Sequence, residues 1–262
     1  MEFTVHDVGH GFCAHLKHDN GNVMVWDCGH KSKPEFRPSI FLPQLGVERI
    51  ETFFITNYDE DHISDLANLI QKIPIISFHR NISITAQQLR ELKLKTGSLS
   101  PAMHSLLVML DEYNDFSAAT ALAAAPFPNV SIRTYGCLYP EFTDTNNLSV
   151  VTFLNINGTG IVIPGDVEKE AWEKLIENPS LRKDLVDVDV FIASHHGREN
   201  GYSRRIFDYC SPKLIIFSDS QIQYSTQEMT STYASHASGM LVGNTMRKVV
   251  TTRNDGSISF YR

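Results

Sequence analysis

The sequence predicts an α/β fold in which two β-sheets pack together with helices outside them. Three observations lead there. Short β-type apolar runs dominate both halves of the 262-residue chain, helical segments follow several strand ends directly, and a helical block interrupts the middle. No linker divides the chain, so residues 1–262 are expected to form one domain with 85–125 as a helical insertion inside it.

Taken in order, FTVHDV, FCAHLKH and NVMVWDCG read as strands separated by Gly and Asn/Asp turn signals. ETFFIT is a further short apolar run, and it stops abruptly at the polar stretch NYDEDH. Directly after it, Ile63, Leu66, Leu69 and Ile70 recur at helical spacing and predict an amphipathic helix. Residues 85–125 change character: TAQQLRELKLKTG and SPAMHSLLVMLDEYNDFSAATALAAA read as two or three helices, ended by Pro126 and Pro128. Such a block suits either a lid over a site or an outer layer covering a sheet. Strands return with VSIRTYG, then LSVVTFLNIN and GIVIPG around an Asn157-Gly158 hairpin turn. EKEAWEKLIE is a helix, VDVFIAS and KLIIFS are strands, and KVVTTRNDGSISFYR reads as a closing hairpin through Asn254-Asp255-Gly256.

Composition narrows the function. No apolar run approaches the roughly 20 residues of a membrane span, and MEFTVHDVGH lacks the basic-then-apolar pattern of a leader, so a soluble cytoplasmic protein is expected. Cys13, Cys28, Cys137 and Cys210 lie far apart with no CxxC pair, which argues against both a disulfide framework and a Cys-rich zinc site. The formal net charge of −7 disfavours polyanion binding over the whole surface. Residues 198–262 are nevertheless +3 and the remainder −10, which leaves room for a local basic wall.

The chemistry concentrates in Asn57-Tyr58-Asp59-Glu60-Asp61-His62, at a strand end and a helix start. Acidic side chains this close repel one another without a compensating cation. Asp59, Asp61 and His62 offer oxygen and imidazole donors from one turn, which suits a divalent metal. A lone DxDH string also serves as a solvated loop or helix cap, so partners are needed. Asp166, in IVIPGDVEKE, lies at another strand–helix junction, and His195 and His196, in VFIASHHGRE, lie just past a further apolar strand.

With those residues in place, the chain resembles the metallo-β-lactamase superfamily, and more closely the hydrolase domain of the competence protein ComEC and its soluble relatives. Asp7-Val8-Gly9-His10-Gly11, Asp27-Cys28-Gly29, Thr56 through His62, Asn146-Asn147-Leu148-Ser149, Gly165-Asp166 and His195-His196-Gly197 carry the resemblance. It implies a metallo-β-lactamase-like αββα four-layer sandwich with a helical insertion. It also implies a site in which Asp61, His62 and one of His195 or His196 hold one metal and Asp166 bridges to a second. Asp59, aided by Asn57, would complete that second position. Asp61 would also act catalytically by orienting water. His236, in TYASHASG, would face the site as a catalytic and substrate-binding residue, and Asn147 and Ser149 would contact substrate. Asp27 and His10 fit either an orienting role or turns of a β-meander.

Two departures from the family pattern stand out. Asn57 occupies the place of the first family histidine, and the separate third-motif histidine has no counterpart, since His79 and His104 precede the strands expected there. The donor set is therefore rich in oxygen, and one or two divalent ions are expected, Zn²⁺ or Mn²⁺ with Mg²⁺ also compatible. The resemblance implies a phosphodiesterase or nuclease acting on an anionic substrate, a nucleic acid or nucleotide. A lactone, thioester or β-lactam hydrolase and a degenerate, non-catalytic sensor or binding module are the competing readings.

Overall fold

A computed structural model describes residues 1–113 and 127–262. The first sheet is built from β1 (Glu2–Val5), β2 (Ala14–Lys17), β3 (Val23–Trp26), β6 (Thr52–Phe54) and β7 (Phe78–His79), and it is completed by the last strand, β16 (Ile258–Tyr261), in the order β16-β1-β2-β3-β6-β7. Between β3 and β6 the two-residue strands β4 (Lys31–Ser32) and β5 (Glu35–Phe36) form a small separate ribbon. The second sheet takes β8 (Val130–Gly136), β9 (Val150–Ile156), β10 (Thr159–Ile163), β11 (Val190–Ile192), β12 (Leu214–Phe217) and β15 (Val249–Thr251) in the order β15-β12-β11-β10-β9-β8. A further ribbon joins β13 (Met240–Val242) to β14 (Thr245–Arg247).

Strand alternation explains the layering. In β3, Met24 and Trp26 point between the sheets, where they meet Leu154, Ile161 and Ile216, whereas Val23 and Val25 point outward to Leu66, Leu69 and Leu106 of the helices. In β11, Val190 and Ile192 enter the same inter-sheet core, while Phe191 faces Trp172, Leu181 and Leu185 on the other side. Three apolar interfaces thus separate four layers, α/β/β/α, and each large side chain buried there contributes about 1.5–3 kcal/mol relative to exposure. The fold is the metallo-β-lactamase-like sandwich.

Several local expectations need correction. The closing hairpin does not form: β15 joins the second sheet beside β12, whereas β16 crosses to pair with β1 in the first. Thr252–Asp255 is helical, and the Asp255 carboxylate accepts from the Thr251 amide and pairs with Arg247, which ties the turn down between sheets. The helix after the acidic loop is broken into Glu60–Ile63 and Leu66–Lys72, because Asp65 turns its carboxylate to the Ser39 amide and Arg37; Ile70, expected inside, is exposed. Of the helical block, Ala86–Leu94 and Pro101–Glu112 pack Leu89, Leu106 and Leu110 onto the outer face of the first sheet, as an outer layer. Residues 114–125 of the expected insertion lie outside the described residues. No helix among the described residues is long and apolar enough to cross a membrane. All four cysteines are buried and free.

Candidate metal centre

The site sits at the carboxyl ends of strands from both sheets, where open α/β sheets place their ligands. Asp61 and His62 follow β6, Asp166 follows β10 and His196 follows β11. One donor atom from each of these four residues lies within 4.8 Å of the others. His62 Nε2 is 3.1 Å from Asp166 Oδ1, and His196 Nε2 is 3.2 Å from Asp61 Oδ2 and 3.4 Å from Asp166 Oδ2.

Local sequence explains this convergence. Gly11 and Gly29 cover the Asp61 carbonyl so closely that a Cβ at either would lie 2.3 Å from it. The Phe12 and Cys28 amides donate to the Asp61 and His62 carbonyls. The glycines of DVGHG and DCG are therefore what let two loops clamp the backbone of the acidic turn. On the opposite side, His195 and His196 both adopt left-handed backbone, with φ of 48° and 55°. Non-glycine residues in that region cost on the order of 1–3 kcal/mol each, and the turn sends the two adjacent imidazoles in different directions.

Each inner histidine has one nitrogen fixed and one left bare. His62 Nδ1 donates to Asp27 at 2.6 Å, and Asp27 is itself held by the Thr56 amide at 2.7 Å and by the Thr56 hydroxyl. His196 Nδ1 donates to the Ser218 carbonyl at 2.9 Å. Both Nε2 atoms are buried without a hydrogen-bond partner and face the two carboxylates. An orienting acceptor on Nδ1 with a lone pair aimed inward on Nε2 is the arrangement of metal-ligating imidazole. Burial opposes charge on His196, yet Asp166 and Asp61 lift it to about 9, and Asp166 and Asp27 raise His62 in the same way. The Asp61 and Asp166 carboxyls are held below their usual range, because the histidines outweigh the burial that pushes the other way. A field that retains protons on two buried imidazoles favours a divalent cation in their place. The residues fit a metal ion.

Other expected site residues lie outside this group. Asp59 pairs with the Lys93 ammonium and accepts from the Thr145 hydroxyl at 2.9 Å. Asn57 donates from Nδ2 to Asn146 Oδ1 at 3.0 Å, and its Oδ1 accepts from the Asp59 amide at 2.9 Å. His195 points to Glu168, 3.4 Å away, and Glu168 also accepts from Asn146 and Asn200. The position expected for a second metal is thus a hydrogen-bonded network with its own cation. Asn147 and Ser149, expected to contact substrate, are buried, and their side-chain oxygens accept from the Glu168 and Asp166 amides. They shape the loop that presents Asp166. His236 stacks on Phe207 at 4.0 Å between centroids and hydrogen-bonds to the Tyr202 hydroxyl, and it is not among the four converging donors. His10 does reach them: its Nε2 lies 3.4 Å from Asp61 Oδ2 and its ring 4.4 Å from that of His196. Sequence reasoning missed Lys93, Glu168 and Arg198. Only Arg198 carried a local signal, directly after the His-His-Gly turn.

No family model matches the chain. Its architecture is that of the metallo-β-lactamase fold, with the centre at the strand ends. PqqB from Methylobacterium extorquens, solved with Zn²⁺ bound, superposes with a TM-score of 0.51 at 11% identity over 100% of both chains. A motif mutant of a metallo-β-lactamase from Cronobacter sakazakii gives 0.44 at 12% identity, covering 74% of this chain and 77% of its own. Among curated proteins, ComE operon protein 3 of Bacillus subtilis (strain 168) is 22% identical over 183 residues, 68% of this chain. The chain spans about a fifth of that protein's length, 21%.

Proposed function

We propose that the protein is a metal-dependent hydrolase that cleaves phosphodiesters of a nucleic acid or nucleotide, with one divalent ion held by Asp61, His62, Asp166 and His196. The observation that carries the reading is the pair of buried, unpartnered Nε2 atoms facing two carboxylates. A bound ion would supply Lewis acidity and make water more acidic. The chain supplies the rest. Asp27 and the Ser218 carbonyl hold the two imidazoles so that their lone pairs converge. Asp166 is nearly enclosed, whereas the Asp61 side chain is 25% exposed, so Asp61 is the carboxylate placed to hold and orient a water at the mouth. The choice of phosphodiester rests on the ComEC-like motifs, and the two carboxylates among the four donors suit Mn²⁺ or Mg²⁺ as well as Zn²⁺.

Purified protein loaded with Mn²⁺, Mg²⁺ or Zn²⁺ should bind one ion per chain and hydrolyse bis(p-nitrophenyl) phosphate or short single-stranded DNA. Asp61→Asn should retain the fold and lose most turnover. Cleavage confined to neutral lactones or thioesters would remove the phosphodiester reading. Absence of both metal and turnover would remove the hydrolase itself.

A further inference from the structure

The geometry points to Arg198 as an anion-binding side chain of the centre, a guanidinium that takes phosphate oxygens of the substrate while His10 holds it in place. It rests on the hydrolase reading only for which anion is cleaved. Arg198 leaves the left-handed His195-His196 turn, and its Nη2 donates to His10 Nε2 at 3.2 Å. His10 in turn touches Asp61 and the His196 ring, so the guanidinium is one side chain removed from two of the four donors.

What sets this arginine apart is a buried, unpartnered Nε on a guanidinium that has no counter-ion. Arg37, Arg133, Arg205 and Arg247 each pair with a carboxylate. Among the described residues no carboxylate lies within 4.0 Å of Arg198, and its Nε is buried without a partner. A half-buried cation beside a metal centre is unfavourable unless an anion comes to it.

Charge arithmetic at the centre indicates the same role. Two carboxylates, two neutral imidazoles and one divalent ion sum to zero, and Lys93 already neutralises Asp59. Beyond the Lewis acidity of the ion, the centre and the Asp27 carboxylate behind His62 therefore offer a phosphodiester no net positive charge, and Arg198 supplies one. Its planar fork matches two phosphate oxygens in a way that an ammonium does not. The His10 contact fixes one edge and leaves the remaining N–H groups for the ligand. His10 is accordingly a positioning residue.

Inorganic phosphate titrated into the Zn²⁺-loaded full chain by calorimetry tests this without turnover. Arg198→Ala should weaken phosphate by about tenfold or more, the loss expected for a hydrogen bond to a charged group, with metal content unchanged. Arg198→Lys should fall between the two, which separates charge from fork geometry and guards against a merely misfolded alanine variant. His10→Ala should weaken binding less, and His10→Gln, whose amide oxygen can accept from Nη2, should restore it. With a phosphodiester substrate the Arg198 effect should fall on KM more than on kcat. Equal phosphate affinity in wild type and Arg198→Ala, or no phosphate binding by the loaded wild type, overturns the assignment. Phosphate bound through Arg198 without phosphodiester cleavage would leave this site standing and remove only the proposed reaction.

Discussion

Two groups of metal-type side chains lie a few residues apart in this protein, and the structure treats them in opposite ways. Asp61, His62, Asp166 and His196 converge, and the two histidines among them have Nδ1 fixed by the protein and Nε2 left bare toward the carboxylates. Asn57 and Asp59 have their polar atoms engaged with Asn146, Lys93 and Thr145, and the His195 ring is turned toward Glu168, 3.4 Å away, outside the four converging donors. Donor chemistry alone does not make a ligand. What distinguishes the two groups is whether the donor atoms converge on one point.

The largest expected effect breaks that contrast directly. His196→Ala should abolish stoichiometric metal binding, whereas His195→Ala, one position away, should leave metal content close to wild type. Elemental analysis after gel filtration decides it, and a metal-free His195→Ala protein would reverse the assignment. A smaller effect is expected one shell out. Asp27→Asn keeps the volume but removes the carboxylate that orients His62, and metal affinity should fall by roughly 10–100-fold in a competition titration with a chelator. Loss no greater than that of a surface variant would mean that Asp27 only braces Thr56.

The second group gives a constructive test. Asn57→His alone should leave one ion per chain, because Lys93 still occupies Asp59. Asn57→His combined with Lys93→Ala should admit a second, weaker ion, detected as a second phase in a Zn²⁺ titration. A second ion in the single variant would show that the lysine does not compete.

How much of this was legible in the sequence follows the same physics. The strand-end positions of Asp61, Asp166 and the His-His pair could be read because apolar runs stop sharply at polar turns. The choice between His195 and His196 could not, since it depends on two consecutive left-handed residues that no local pattern announces. Lys93 reaches Asp59 from a helix 34 residues later, and nothing in its surroundings marks it as different from Lys95. The failed closing hairpin has a similar cause. Asn-Asp-Gly is turn chemistry in isolation, but β15 and β16 find partners in different sheets, and tertiary pairing overrides the local preference.

The smallest effect concerns two buried histidines whose burial outweighs the one carboxylate, Glu2, that acts on His15. His6 Nε2 and His15 Nδ1 hydrogen-bond at 2.9 Å beneath Phe36 and Phe41, one donating and one accepting, so the accepting ring at least is neutral. Burial, and then the charge of His15, lowers His6 to about 3; burial lowers His15 to about 4. Below about pH 6.5 the unfolded chain takes up these protons and the folded protein refuses them. Their contribution is therefore fully present above that pH and is lost as pH falls, by about 1.4 kcal/mol per pH unit for each histidine, until the folded groups titrate, His15 at about 4 and His6 at about 3. Urea midpoints at about pH 7.5 and 5.5 measure it, and His15→Gln should flatten the difference. An unchanged slope in that variant would place the acid sensitivity elsewhere.

One consequence follows from where the four donors come from. Asp61 and His62 belong to the first sheet's loops, and Asp166 and His196 to the second's, so an ion at the centre ties together chain segments more than 100 residues apart. Such a tie acts on the seam between the sheets as well as on the chemistry. If the ion binds the native state alone, a free concentration a hundred times its dissociation constant adds about 2.7 kcal/mol to stability. Persistence of the native state would then become a function of ion supply, and a chelator would loosen the sandwich along the same edge at which the proposed chemistry lies.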